Sequence, residues 1–183
     1  VVVDVTGSFP AGRGFVPVTP VRLADTREPA GAVRQRAGTP LVVDVGSAAG
    51  VPVGARSVAL SVTATDAAAA GFVSVGPCDR PLGTTSNVNV GAGATAPNLV
   101  ITRPDADGHV CVVSNVDTHL LVDLSGSFTS SADMDVIDAT RVLDTRSPGN
   151  ERLTGGSPVA VRVAGTAGVP ADASGVVPNL TSA

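Results

Sequence analysis

The sequence contains no tryptophan, tyrosine or lysine, and it has only four phenylalanines, two histidines and one methionine. Proteins that bind nucleic acid generally present a basic face and stacking aromatic rings. This chain of 183 residues instead has a formal net charge of -4, spread without a block of one sign. An uninterrupted apolar run of roughly 18 residues, which a membrane-spanning helix requires, is also missing. We therefore predict no nucleic-acid partner and no membrane span.

The residues that are present favour a folded chain rich in strands and turns. Apolar residues make up 43% of the sequence and charged residues 15%, while glycine (21) and proline (14) are frequent. Charge-driven disorder is therefore not expected. The apolar residues are chiefly Val, Ala and Leu, and valine favours the pleated, half-buried surface of a sheet.

The two cysteines, Cys78 and Cys111, allow two interpretations. They form a disulfide in a secreted protein, or they are reduced thiols in the core of a cytosolic one. No Cys-x-x-Cys pair or histidine cluster accompanies them to make a metal site. We favour the disulfide, joining the strands near Phe72 and Val110, and with it an extracellular or cell-surface location.

The sequence repeats itself at an offset of 119 residues. Residues 1–9 (VVVDVTGSF) resemble residues 120–128 (LLVDLSGSF), and residues 21–27 (VRLADTR) resemble residues 140–146 (TRVLDTR). Such self-similarity is the mark of a tandem array. We expect the closing strand and linker of a preceding module over residues 1–15, a complete β-module over 16–130, and the first half of a following module over 131–183. The expected partners are neighbouring modules of the same array, with strand exchange between copies as one possible mode.

Alternation with period two recurs along the chain, and helical spacing is almost absent. Turn signals divide the alternating segments at regular intervals, which is typical of a sandwich or barrel. We predict an all-β fold of antiparallel β-sandwich modules, jelly-roll or Ig-like, in tandem. The predicted strands are residues 41–45, 57–65, 71–75, 85–90, 98–103, 109–114 and 119–124, with a hairpin turn at residues 105–108 and a positive φ at Gly108.

Several segments resemble a tandem β-module of secreted actinobacterial surface proteins and cell-wall hydrolases. They are RLADTR, GFVSVGPC, TSNVNVGAG, PNLVI and THLLVDLSGSF, and the resemblance extends over essentially the whole chain. It implies an accessory module and no catalytic activity. Tyr or Trp often precedes the final Phe of the closing strand in that family, whereas Ser8 and Ser127 stand there in this chain.

The repeated Asp-Thr-Arg segments are the main candidates for a site. They consist of Asp25, Thr26 and Arg27 in the first copy and Asp144, Thr145 and Arg146 in the second. An acid and a base two residues apart on a strand share one face, which permits a polar binding spot. We favour structural polar anchors, in which the arginine binds either a neighbouring carboxylate in a bidentate manner or the carbonyl groups of a turn.

Catalytic and metal-binding patterns are weak. Ser114, His119 and Asp123 suggest a triad, but the last two are separated by roughly 13 Å along one strand. Asp105 and Asp107 contain a fragment of a calcium loop, although its closing Glu is missing and a turn is preferred. We predict no enzyme, no metal and no cofactor. Residues 84–89 form a polar ladder that binds a ligand or is an ordinary solvated sheet face.

Three functions follow from these observations. The first is a noncatalytic extracellular structural or adhesive repeat module, acting as a spacer or surface-display unit. The alternative is a glycan- or cell-wall-binding accessory module of a secreted hydrolase, with only phenylalanines to stack on sugars. The third is a protease-inhibitor-like module that presents the loop of residues 77–82.

Overall fold

The structure is a computed structural model. The residues that it describes in the first of two units form eight antiparallel strands. The chain divides into two compact units, Val1–Val136 and Ile137–Ala183. The described residues are 14–28 and 33–129 in the first unit, and 137, 140–147, 154–156, 158–173 and 176–178 in the second. The strands are β1 (Phe15–Asp25), β2 (Leu41–Asp44), β3 (Ser57–Thr65), β4 (Gly71–Pro77), β5 (Val88–Val90), β6 (Thr95–Thr102), β7 (His109–Ser114) and β8 (His119–Phe128).

The strands form two four-stranded sheets, one in the order β1-β8-β3-β6 and the other in the order β2-β7-β4-β5. Four of the pairs join the first strand to the last, the second to the seventh, and so inward. This is the pattern of one long hairpin rolled up, as in an eight-stranded jelly roll. The predicted all-β sandwich is confirmed, and of its two predicted forms the strand order matches the jelly roll.

The core between the sheets contains valine, leucine and alanine side chains. Inward positions of β3 and β8 alternate with outward ones, so Leu60, Leu120, Val122 and Leu124 are fully buried. Residues 120, 122 and 124 therefore form the inward face of β8. Because short branched side chains leave rotamer entropy small and pack closely, they suit a sandwich core without aromatic rings.

Strand β1 has no counterpart among the predicted strands. Pro17 and Pro20 interrupt its alternation, and its pairing with β8 is irregular between Pro17 and Val21 and again between Arg22 and Ala24. Proline removes a ladder donor and is tolerated on an edge strand, which is where the sheet order places β1. Local pattern therefore could not identify this strand.

Other predicted bounds need smaller corrections. β5 begins at Val88 and not at residue 85, β6 begins at Thr95 and not at residue 98, and β8 continues to Phe128 beyond the predicted residue 124. The hairpin turn at residues 105–108 is confirmed, with a φ of 85° at Gly108. Residues 1–9, and with them the predicted strand exchange between copies, lie outside the described residues.

Candidate functional site

The Asp-Thr-Arg segment of the first module lies where β1 ends. Asp25 is the last residue of the strand, and Thr26 and Arg27 form the turn that follows it. The expectation that the acid and the base lie on one strand face is therefore wrong. The turn reverses the chain, and the Glu28 N–H donates to the Asp25 carbonyl at 3.2 Å. This reversal brings the Arg27 side chain back onto its own aspartate.

Asp25 is enclosed by donors. Its Oδ1 accepts hydrogen bonds from the Arg27 backbone N–H at 3.0 Å and from Arg27 Nε at 2.9 Å. Its Oδ2 accepts from Arg27 Nη2 at 2.6 Å and from Arg22 Nη1 at 2.7 Å. The Asp25 side chain is only 5% exposed. These hydrogen bonds, above all those of the Arg27 side chain, hold the pKa of the Asp25 carboxyl well below its ordinary value.

Arg22 extends this cluster to the neighbouring strand. Its Nε donates to Asp123 Oδ1 at 2.5 Å and its Nη2 to Asp123 Oδ2 at 3.2 Å, a bidentate pair between β1 and β8. The two residues are direct partners in the strand register. Hydrogen bonding to Asp123 raises the pKa of Arg22. Sequence pattern does not pair these two residues, although Arg22 and Arg141, and Asp4 and Asp123, recur at the repeat offset.

Thr26 fastens the other side of the same turn to β8. Its backbone N–H donates to the Leu120 carbonyl at 3.0 Å, and its hydroxyl accepts from the Leu120 N–H at 2.8 Å. His119 Nδ1 lies 3.2 Å from both the hydroxyl and the carbonyl oxygen of Thr26. We refer to Arg22, Asp25, Thr26, Arg27 and Asp123 together as the β1–β8 clamp. It has the contacts of a structural anchor.

The second unit repeats the inner half of the clamp. Arg146 donates through its backbone N–H at 3.0 Å and through Nε and Nη2 at 2.9 Å to the Asp144 carboxylate. Arg141 Nη1 donates to Asp144 Oδ2 at 3.1 Å. Hydrogen bonding by the Arg146 side chain again places the pKa of the Asp144 carboxyl well below its ordinary value. Thr145 lies in the same turn. The motif thus forms this ion-paired turn in the described residues of both units.

The disulfide joins Cys78, directly after β4, to Cys111 in β7, with their Cα atoms 4.9 Å apart. These are the two strands between which the sequence predicts the bridge, and they are direct neighbours in the sheet. Asp79, Arg80 and Pro81 in the following loop are exposed. The predicted loop of residues 77–82 is therefore anchored at its first turn.

The Ser114, His119 and Asp123 side chains have separate partners. Ser114 Oγ is buried and donates to the Phe72 carbonyl at 3.4 Å, whereas His119 contacts Thr26 and Asp123 binds Arg22. No nucleophile-base-acid relay links the three residues.

Three residues of types that can bind a metal ion lie at the hairpin between β6 and β7. The ligand atoms of Asp105, Asp107 and His109 lie within 4.8 Å of one another. The two aspartates are the predicted calcium-loop fragment, and His109 was not among the predicted residues. Asp105 Oδ1 accepts the backbone N–H groups of Asp107 at 3.0 Å and His109 at 2.8 Å, so this carboxylate closes the turn. That role matches the predicted turn.

The polar residues 84–89 hold their loop against the second sheet. Asn87 Oδ1 accepts the Val75 N–H at 2.8 Å, Ser74 Oγ donates to the Thr85 carbonyl, and Ser86 Oγ donates to Asn89 Oδ1 at 2.8 Å. Part of the predicted ladder therefore stabilises the loop.

Comparison with known proteins gives no relative. The chain matches no protein-family model, no curated protein and no solved structure. The resemblance to an actinobacterial tandem module stays a prediction. Among the described residues, no helix has both the length and the apolar character needed to cross a bilayer.

Proposed function

We propose that this chain is part of a noncatalytic extracellular repeat protein whose modules are structural or adhesive and act as spacers or surface-display units. The observation that carries the proposal is the clamp. Asp25 and Arg27, the charged residues of the repeated motif, bind each other and Arg22, and Arg22 binds Asp123. A repeated motif with these contacts serves to close each module.

The disulfide supports the extracellular part of the proposal. Disulfides persist in oxidising environments and are rare in the cytosol. A bond between Cys78 and Cys111 suits a module whose core consists of small side chains, because it restricts the unfolded chain. The resemblance to secreted surface proteins points in the same direction.

The positions at which the chain enters and leaves the module favour a surface-display unit over a spacer. The module begins beside Gly14 and ends beside Thr129, and the Thr129 N–H donates to the Gly14 carbonyl at 3.0 Å. Both connections therefore leave from one end of the sandwich, which we term the tether end. The clamp lies at the opposite, distal end. A folded module joined in this way adds little to the length of an array but presents its distal end outward.

The glycan-binding alternative receives less support from the aromatic residues. The Phe15 and Phe128 rings pack against each other with centroids 5.0 Å apart, and Phe128 is 2% exposed. Phe72 is half-buried within β4. Sugar-binding platforms need an exposed aromatic face, and Phe72 offers part of one.

Binding to purified cell wall and to a glycan array tests the two functions against each other. The spacer role predicts no saturable binding by the full chain. Saturable binding that Phe72→Leu abolishes, while circular dichroism shows the fold retained, would establish the glycan-binding function instead. A variant at the exposed Leu99 of β6 is the matched control, because its side chain lies on the other sheet.

A further inference from the structure

The two ends of the module are neighbours in one sheet, and this determines which strand separates first when the ends are pulled apart. β1 begins at Phe15 and β8 ends at Phe128, and these two residues are register partners. A pull along the polypeptide therefore acts on paired ends of two antiparallel strands. In an antiparallel pair the hydrogen bonds run perpendicular to the strands. The pull is directed along these bonds and stretches them one pair after another, beginning at Phe15.

The strand that yields first is β1. Within the described residues it pairs with β8 alone, whereas β8 is held on its other side by β3. The Arg56 N–H also donates to the Phe128 carbonyl at 2.8 Å, which secures the end of β8. Peeling β1 from the edge of the sheet breaks only its pairing with β8, which we term the seam. Removing β8 would also break its pairing with β3.

The seam is weak near the tether end. Phe15, Val16 and Pro17 pair with residues 126–128, and the register is then interrupted until Val21. Pro17 and Pro20 carry no N–H to donate. In this stretch the Phe15 ring packs on Phe128 and against Gly126, and Val18 packs against the core.

The seam is strong at the clamp. Arg22 holds Asp123 through two hydrogen bonds, and Thr26 holds Leu120 through two more. Charge-assisted bidentate pairs are stronger than neutral hydrogen bonds. Peeling from the tether end therefore breaks few hydrogen bonds before Val21 and is then resisted by the clamp.

We propose that the module is an extensible tether, in which tension peels β1 from β8 at low force until the clamp yields and the module releases its stored chain. This function rests on the proposed repeat array, since an array transmits tension through each module. The folded module spans about 5 Å between its two connections. Its roughly 115 residues reach about 400 Å when extended, at about 3.5 Å per residue.

The disulfide limits this extension. Cys78 and Cys111 are 33 residues apart in sequence, so an intact bond withholds that loop from the stretched chain. The loop corresponds to about 115 Å at about 3.5 Å per residue. Oxidised modules would release roughly 280 Å, and reduction would add the remainder.

Single-molecule force spectroscopy on the full chain tests the mechanics through its pulling geometry. Handles at the two chain ends load the seam at Phe15 and Phe128. A second preparation carries one handle at an introduced cysteine, Glu28→Cys, and the other at the C-terminus. Glu28 is exposed just beyond β1, so this geometry shears β1 along β8 and loads the whole seam together. We expect the shear geometry to require several times more force, whereas equal forces in both geometries would overturn the proposal.

Substitutions test whether the clamp is the part of the seam that resists peeling. Asp123→Asn should raise the unfolding rate at constant force about five-fold, because it weakens the bidentate pair with Arg22. Asp66→Asn is the matched control. It weakens the exposed Arg34–Asp66 pair, which lies outside the seam, and should change the rate by less than about two-fold. Equal effects of the two substitutions would show that the clamp does not resist the peeling of β1.

The length increment, which is the gain in chain length when one module unfolds, gives a further test that needs no substitution. Reducing the disulfide should lengthen the increment by about 115 Å, and an unchanged increment would contradict the assigned extension. Saturable glycan binding, which would favour the alternative function, is a separate result. The force measurements would stand or fall independently of it.

Discussion

The Asp25 carboxylate accepts four hydrogen bonds while its side chain stays 5% exposed. Removing this acceptor leaves the Arg27 guanidinium without the carboxylate that it binds, whereas Arg22 keeps its pair with Asp123. A charge that is buried and paired costs more to delete than an exposed one. The contribution of this single residue to stability can therefore be measured by pH and by substitution.

The lowered pKa of Asp25 predicts a pH dependence of stability. A carboxyl whose pKa is lower in the folded state stabilises the fold above its unfolded pKa of about 4, and this stabilisation is lost as the pH falls through the folded value. Asp25→Asn should lower the free energy of unfolding at pH 7 by about 1–3 kcal/mol. It should also flatten the decline in stability between about pH 5 and 2.

Denaturant unfolding at a series of pH values measures both effects. Asp79→Asn, in the exposed loop after β4, is the control and should parallel the wild-type chain. An unchanged slope in Asp25→Asn would mean that other carboxyls govern the acid response.

Gly126 predicts a steric effect at the tether end of the seam. A Cβ at this position would lie 2.5 Å from the Phe15 ring and 2.7 Å from the Val16 carbonyl oxygen. Gly126→Ala should lower the free energy of unfolding by about 1–3 kcal/mol, because the backbone contact cannot move away easily. Gly91→Ala meets only Ala94 at 3.6 Å and should be nearly neutral in the same thermal or denaturant melt. Equal stabilities of the two variants would refute the predicted clash.

At the scale of elements, β8 is the strand on which the first sheet depends. It pairs with β1 on one side and β3 on the other, and its inward side chains are fully buried. Its outward Asp123 side chain and the backbone of Leu120 make the clamp contacts. One strand therefore pairs with two neighbours, contributes to the core and carries half of the clamp contacts.

Neighbouring strands β3 and β6 allow a matched test of the core. Leu60 is 0% exposed and Leu99 is 60% exposed. Leu60→Ala should cost about 2–5 kcal/mol, because it removes transfer energy and leaves a cavity. Leu99→Ala should cost less than about 0.5 kcal/mol. Similar losses in thermal unfolding would place Leu60 outside the core.

At the scale of the whole molecule, the disulfide couples stability to the redox environment. Cys78 and Cys111 close a loop between adjacent strands of a module with small core side chains. Oxidising surroundings would keep the loop closed, and strong reductant would open it. This coupling supports an extracellular setting for the proposed function.

Reduction of the disulfide should lower the free energy of unfolding by about 3–4 kcal/mol in the chain-entropy model. Denaturant unfolding with and without reductant measures this difference. The Cys78→Ser, Cys111→Ser double variant should match the reduced chain and should not respond to reductant. A reduced chain as stable as the oxidised one would remove the structural argument for secretion.

The sequence alone determined features that local pattern or self-similarity can carry. Alternation located β3 and β7, the Asp-Gly pair located the turn at Gly108, and the repeat identified the Asp-Thr-Arg segments. The disulfide was favoured over two reduced thiols because the cysteines lie near strand ends and no Cys-x-x-Cys pair or histidine cluster accompanies them, and the structure contains it. Each of these features depends on short segments or on residue identity.

Only the tertiary structure decided the strand order and the contacts across it. β1 escaped prediction because its prolines are tolerated only at the edge of a sheet, and that edge is a property of the fold. Arg22 meets Asp123 across 101 residues and Thr26 meets His119 across 93. The adjacency of Gly14 and Thr129 likewise depends on how the hairpin rolls up. Period-two alternation specifies which face of a strand is buried, but it contains no information about which strand lies beside it.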